Sequence, residues 1–159
     1  MNNKKLEIVG MIVLPKFAAF ISGVNVFKNA EIKPSHLFDE LFLEHVVLNL
    51  PEKTVACHRV ISEFDNADLL EFLGPNFCPL EAADIGRLFQ FQTTDSIFKF
   101  NADGACNHVV IADMTDKVIA DTIWRAQVFK HQKKGWCAEL YRKPKITCQE
   151  LIFSGYLKK

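Results

Sequence analysis

The sequence predicts an α+β domain, with about three helices packed on one face of a curved, mainly antiparallel sheet, an N-terminal strand and a C-terminal β-meander. Three observations predict it. An apolar, β-branched run opens the chain from Leu6 to Leu14. Helical periodicity and capping signals cluster between residues 36 and 90. After Thr94 the sequence turns to alternating β-branched and aromatic segments separated by short polar turns. Helices gathered on one face of an antiparallel sheet are the α+β way of burying both apolar surfaces.

The run Leu6 to Leu14 is continuous enough to read as a buried strand. Phe17 to Phe27 reads as a second strand after a Pro15-Lys16 turn, and Asn29 to Pro34 as loop. The first helix spans 36–48, with Ser35 as N-cap and Leu37, Phe38, Leu41, Phe42, His45, Val46 and Leu48 on the helical period. Asn49 and Pro51 close it. A strand from Thr54 to Ile61 follows. The second helix, 66–73, carries the best local signal in the chain. Asp65 is a good N-cap, Asp68 stands at N3, Phe64 and Leu69 form a hydrophobic staple, and Gly74-Pro75 is the stop. The third helix, 79–90, has Pro79 at its first position and Leu80, Ala83, Ile85, Leu88 and Phe89 as its apolar surface.

The strand-like segments Ser96 to Phe100 and Ala105 to Met114 are joined by Asn101-Ala102-Asp103-Gly104, whose Asp-Gly pair signals a hairpin. Residues 118–130 fit either a strand or a helix, and their β-branched and aromatic content favours a strand. Trp136 to Lys143 and Ile146 to Leu157 complete the meander. The layout is related to cone-shaped folds in which helices lead into a curved sheet, although the N-terminal strand departs from them. Such an arrangement leaves an apolar pocket between its layers.

The chain has 159 residues, which suits one compact domain over 1–159. Hydrophobic residues make up 49% and charged residues 24%, enough apolar surface to offset the ordering entropy. Fourteen Phe against two Tyr point to core filler or an apolar pocket lining. The net charge of zero argues against a dedicated nucleic-acid binder. It conceals an asymmetry. Residues 1–114 hold 9 Lys/Arg and 15 Asp/Glu, whereas 115–159 hold 10 and 4. Two complementary halves packed together explain this, as does a charged interface. Five cysteines at irregular spacings, with no C-x-x-C, fit reduced thiols and a cytoplasmic location better than a disulfide framework. The apolar run at 8–14 is too short to span a membrane.

Sequence signatures of common chemistry are absent: no P-loop, no G-x-G-x-x-G, no H-E-x-x-H, no G-x-S-x-G and no zinc-type spacing. No metal or cofactor is expected. On a strand, Cys57 and His58 point to opposite faces and do not activate each other, so they read as a buried cysteine beside a surface histidine. His108, Asp113 and Asp121 are the candidate acid–base groups, the first two lone polar side chains among apolar neighbours and the third on the mixed face of 118–130. Glu40 and Glu44 read as a solvated helix face. In the strand reading of 118–130, Trp124 shares a face with Ala126 and Val128, while Arg125, Gln127 and Phe129 form a mixed face. Such a face suits a pocket or a dimer surface. Trp124, Arg125, Trp136 and Phe129 are therefore the candidate ligand or interface contacts. Lys130, Lys133, Lys134, Arg142, Lys143 and Lys145 interleave with Trp136 and Tyr141, a basic and aromatic surface that also fits two hairpin turns. These observations point to a binding module for an apolar or amphipathic small molecule, built as a homodimer. The alternatives are a small acid–base enzyme (hydrolase or isomerase) and a regulatory or nucleic-acid-interacting protein using its basic C-terminal third.

Overall fold

A computed structural model describes residues 4–16, 21–22, 31–35, 46–47, 51–81, 84–89, 100–101, 107–112, 123–140 and 145–157. It corrects the fold class. Strands dominate, and the described helices are short: a 3-10 turn at Asn66–Asp68 running into α1 (Leu69–Leu73), and α2 at residues 84–89. This is a mixed sheet with short helical insertions, not three helices on a meander.

In chain order the strands are β1 (Leu6–Leu14), β2 (Ile21–Ser22), β3 (Lys33–Pro34), β4 (Val46–Val47), β5 (Lys53–Val60), β6 (Phe64–Asp65), β7 (Phe77–Cys78), β8 (Asn107–Ala112), β9 (Ile123–His131), β10 (Gly135–Leu140), β11 (Lys145–Ile146) and β12 (Leu151–Tyr156). The large sheet has the order β1-β5-β12-β8-β9-β10-β3, with β7 added to β12. β8, β9 and β10 form the expected antiparallel run. The last strand does not extend it. β12 inserts between β5 and β8, antiparallel to the first and parallel to the second. β3 adds in parallel to β10. Short apolar strands bury best at the centre of a sheet, and β12 (LIFSGY) is buried at five of its six positions.

The helical expectations fared unequally. Of the first helix, only 46–47 is described, and it is strand β4, paired with β2. The remainder of 36–48 lies outside the described residues, as do Glu40 and Glu44 and the segment 96–99. The second helix forms, but it opens as a 3-10 turn. Asp65 makes no side-chain cap; its carboxylate meets the Lys145 ammonium at 2.9 Å instead. Gly74 ends the helix at φ 86°, a backbone region that glycine enters freely. Pro79 does not open the third helix. Leu80 forms a parallel bridge to Ile111, and the described helical residues begin at Asp84. Residues 123–131 are strand. The β9–β10 hairpin turns through Gln132-Lys133-Lys134 into Gly135 at φ 79°, with His131 Nδ1 accepting from the Lys133 and Lys134 amides.

The sheet has two covered faces. The helix face carries the main core: Ile12, Leu14, Val55, Cys57, Val109, Ile111, Ala126, Val128, Ala138 and Phe153 pack against Ile85, Leu88 and Phe89 of α2. An aromatic cluster sits within it, with Phe89 5.2 Å from Trp136 and Phe100 5.0 Å from Phe153. The opposite face packs Leu6, Val60, Val110 and Ile152 against Phe64, Leu69 and Ile146, with Leu73 and Phe77 beside them. The cover there is β6 and α1, with β11 paired to β6, before the chain re-enters the sheet as β7.

Candidate functional site

Strand register decides which side chains meet. Directly opposed residues in a sheet share a face. One registered row runs Ile8, His58, Ile152, His108, Gln127, Glu139 across six strands, on the face opposite α2. Four of these six are polar. Arg125 lies on the same face, opposite Val110, and Ser154 opposite Ala56. This is the polar face of the molecule.

Five polar groups there are deeply buried, His58 at 7% exposed, His108 0%, Arg125 5%, Glu150 5% and Ser154 2%, whereas Gln127 and Glu139 are half-buried. His108 Nε2 lies 2.9 Å from Glu150 Oε2, and the same oxygen accepts from the Thr147 amide at 2.9 Å. Burial holds His108 below the usual histidine range. The bond and charge of Glu150 oppose that shift, and the Arg125 charge adds to it. Burial would raise Glu150, but the bonds from His108 and Thr147 outweigh it and keep the carboxyl below its usual range. The pair is therefore a carboxylate accepting from a neutral imidazole, with the proton on Nε2 and the lone pair on Nδ1. A carboxylate-oriented imidazole is the positioned half of an acid–base pair. His58 is also held below its usual range by burial, and its Nδ1 is buried without a hydrogen-bond partner.

A second buried charge cluster ties α2 to the sheet from the helix side. Asp84 is fully buried; its Oδ2 accepts from Lys53 Nζ at 2.7 Å and from the Glu81 amide at 2.9 Å. Arg87 donates to Asp84 Oδ1 and, through Nη1, to the carbonyls of Pro15 (2.8 Å) and Pro51 (2.9 Å). All its partners are internal, so this cluster is a clip that joins α2 to the end of β1 and the start of β5.

The sequence candidates distribute as follows. His108 is in the polar row, bonded to Glu150. Asp113 and Asp121 lie outside the described residues. Arg125 is buried on the polar face and Phe129 is half-buried beside it in β9. Trp136 is on the other face, packed on Phe89 and Phe100 as core. The structure therefore does not bring Arg125 and Trp136 together. Trp124 occupies β9 opposite Ile111; its side chain is outside the described set. His58 is not the surface histidine expected, because the cover over the polar face reaches β5. Its neighbour Cys57 points into the helix-face core, where burial, only partly offset by Arg59, pushes the thiol up to about 12 and makes it inert. Lys133 and Lys134 are exposed in the β9–β10 turn, and Lys145 is paired with Asp65.

Sequence reasoning missed Glu150, Ser154, Asp84 and Arg87. A signal for the first two was present: Glu150, Ile152 and Ser154 alternate within the last apolar strand, so they share one face. Among the described residues no three His, Cys, Asp or Glu side chains converge as a metal site, and no helix is long and apolar enough to cross a membrane. Comparison with protein families, with curated proteins and with solved structures found no match for the chain.

Proposed function

We propose that this single domain is a cytoplasmic small-molecule-binding module that takes an amphipathic ligand between the polar face of the sheet and the β6–α1 cover. The ligand's polar end meets His108, Glu150 and Arg125. Its apolar part meets Val110, Ile152 and the residues of the second core. The observation that carries this reading is the grouping of five buried polar side chains on one face among aliphatic neighbours. A face built for stability alone would use aliphatic side chains, because buried charge pairs seldom stabilise more than apolar residues of the same volume. Ligand sites combine an apolar lining with a few placed polar groups.

The cover supplies an entry. α1 has five residues, too few to hold a helix by itself, and Leu70 and Phe72 remain 44% and 36% exposed. Segments of this kind open locally at low cost. A thermal-shift screen of amphipathic acids, amines and neutral compounds tests the reading. A ligand at a hundredfold excess over its Kd adds about 2.7 kcal/mol, roughly 5–11 °C in midpoint for a domain of this size. Chemically related hits whose shift disappears in Glu150→Gln, with slowed amide exchange over 64–78, are the expected result. A screen without hits defeats the proposal.

The His108–Glu150 contact favours a second reading, an acid–base enzyme working on the same face. It requires a bell-shaped pH–rate profile on whichever compound binds, and loss of turnover in His108→Gln with binding retained.

A further inference from the structure

β1 is the outermost strand of the large sheet, and among the described residues only β5 pairs with it. Soluble proteins usually blunt such edges with short strands, inward charges or proline. β1 is nine residues long, and its middle is apolar and open: Ile8 is 56% exposed, Val9 39%, Met11 40% and Val13 48%. Register with His58, Ala56 and Thr54 places Ile8, Met11 and Val13 on the polar face, beyond the reach of its cover. Ile12 and Leu14 point the other way into the main core. Among the described residues, a backbone edge with no second strand partner and an exposed apolar stripe thus run side by side.

We propose that this edge is the interface with a second copy of the chain, the two β1 strands pairing antiparallel about a two-fold axis through Ile12. A two-fold is the natural closure for one strand edge, since each residue meets its own surface on the other copy. The register follows from two constraints. Opposed residues must share a face, and the irregularity between Ile8 and Gly10 shifts the alternation by one residue. Centring on Met11 or on Ile12 satisfies this and pairs most of the strand. The Met11 centre sets Lys5 against Lys16 of the second copy, a like-charge pair. The Ile12 centre sets Met11 against Val13 of the second copy and Glu7 against Lys16 of the second copy, an opposite-charge pair at each end. Glu7 and Lys16 are both exposed, so each is available for that contact. Like charges brought together disfavour an interface more than rim pairs favour it, so charge selects the Ile12 register. The resulting dimer continues one sheet through both copies. It uses none of the contacts expected from the sequence, Trp124, Arg125, Phe129 or Trp136, and it does not depend on ligand binding.

Sedimentation velocity over the micromolar range tests the proposal with two variants, Glu7→Lys and Lys16→Glu. Each alone places like charges at both ends and is expected to raise the dimer dissociation constant roughly tenfold or more. An equal mixture of the two restores opposite charges at both ends and recovers the parent dimer as a heterodimer. Met11→Lys, which puts a charge in the apolar stripe, weakens the dimer and is not rescued by mixing. Circular dichroism and melting of each variant confirm that the fold is kept. A parent chain that stays monomeric at the highest concentration overturns the proposal. So does a dimer indifferent to both charge reversals, or a mixture that fails to recover.

Discussion

Ile111 and His108 sit three residues apart on β8, are both fully buried, and belong to different interiors. Ile111 is part of an apolar core in which α2, Phe100 and Trp136 close over the sheet. His108 is part of a face where histidine, arginine and glutamate replace aliphatics. The buried charges described on the helix side lie at the margin, where the Asp84–Arg87–Lys53 cluster joins three chain segments through internal acceptors. The charges on the polar face lie in the middle of the sheet. The difference teaches that the margin cluster is a fastening, whereas the central one costs stability that a binding role would offset.

The largest expected effect breaks the fastening. Arg87→Met leaves Asp84 buried with Lys53 as its remaining cation and strips the Pro15 and Pro51 carbonyls of their donor. A loss of about 3–5 kcal/mol is expected in urea denaturation. Adding Asp84→Leu does not restore it, because the two carbonyls stay unbonded.

The polar face is expected to behave in the opposite way. Glu150→Leu alone leaves the His108 imidazole and the Thr147 amide without their acceptor and costs about 1–3 kcal/mol. The double variant His108→Leu, Glu150→Leu recovers the His108 share of that loss in the same measurement, leaving that of the Thr147 amide. A double variant as unstable as Arg87→Met would erase the distinction between the faces.

The smallest effect is a pH dependence carried by the buried histidines of the polar face. His58 and His108 are both held below the usual value of 6.5 in the folded chain. The unfolded chain therefore takes up protons first as pH falls. Stability is complete above about 6.5 and declines below it by roughly 1.4 kcal/mol per pH unit for each histidine, until its folded pKa is reached. Glu150, depressed from its usual 4.5, adds a further loss as acid reaches the carboxylate range. Denaturation midpoints between pH 7.5 and 5.5 should fall in the parent and fall less steeply in His58→Gln. A flat profile in the parent would mean that neither histidine is protected from protonation.

Local signals carried much of this structure. The run Leu6–Leu14 marks β1 residue for residue, and Gly74 and Gly135 sit where a positive φ is needed. Alternation separated Arg125 and Gln127 from Ala126 and Val128, and His108 from Val109, before any strand partner was known. Pairing signals were weaker. Ile146 to Leu157 reads as one more meander strand, but only β12 within it joins the large sheet, and it joins between β5 and β8. Gly155 shows the constraint that this imposes: a Cβ there would stand 2.6 Å from the Cys78 carbonyl, because β7 takes over the edge of β12 that β8 leaves. Nothing local to Gly155 announces that neighbour.

Which residues alternate, where the chain turns and which segments are apolar enough to be covered could be read from the chain alone, because those properties depend on neighbours within a few positions. Tertiary structure decided the sheet order, the placement of β12 at its centre, and therefore the meeting of His108 with Glu150 and the isolation of Trp136 from Arg125. Strand pairing is set by burial summed over the whole sheet, and a segment of six residues carries no record of which edge will bury it best.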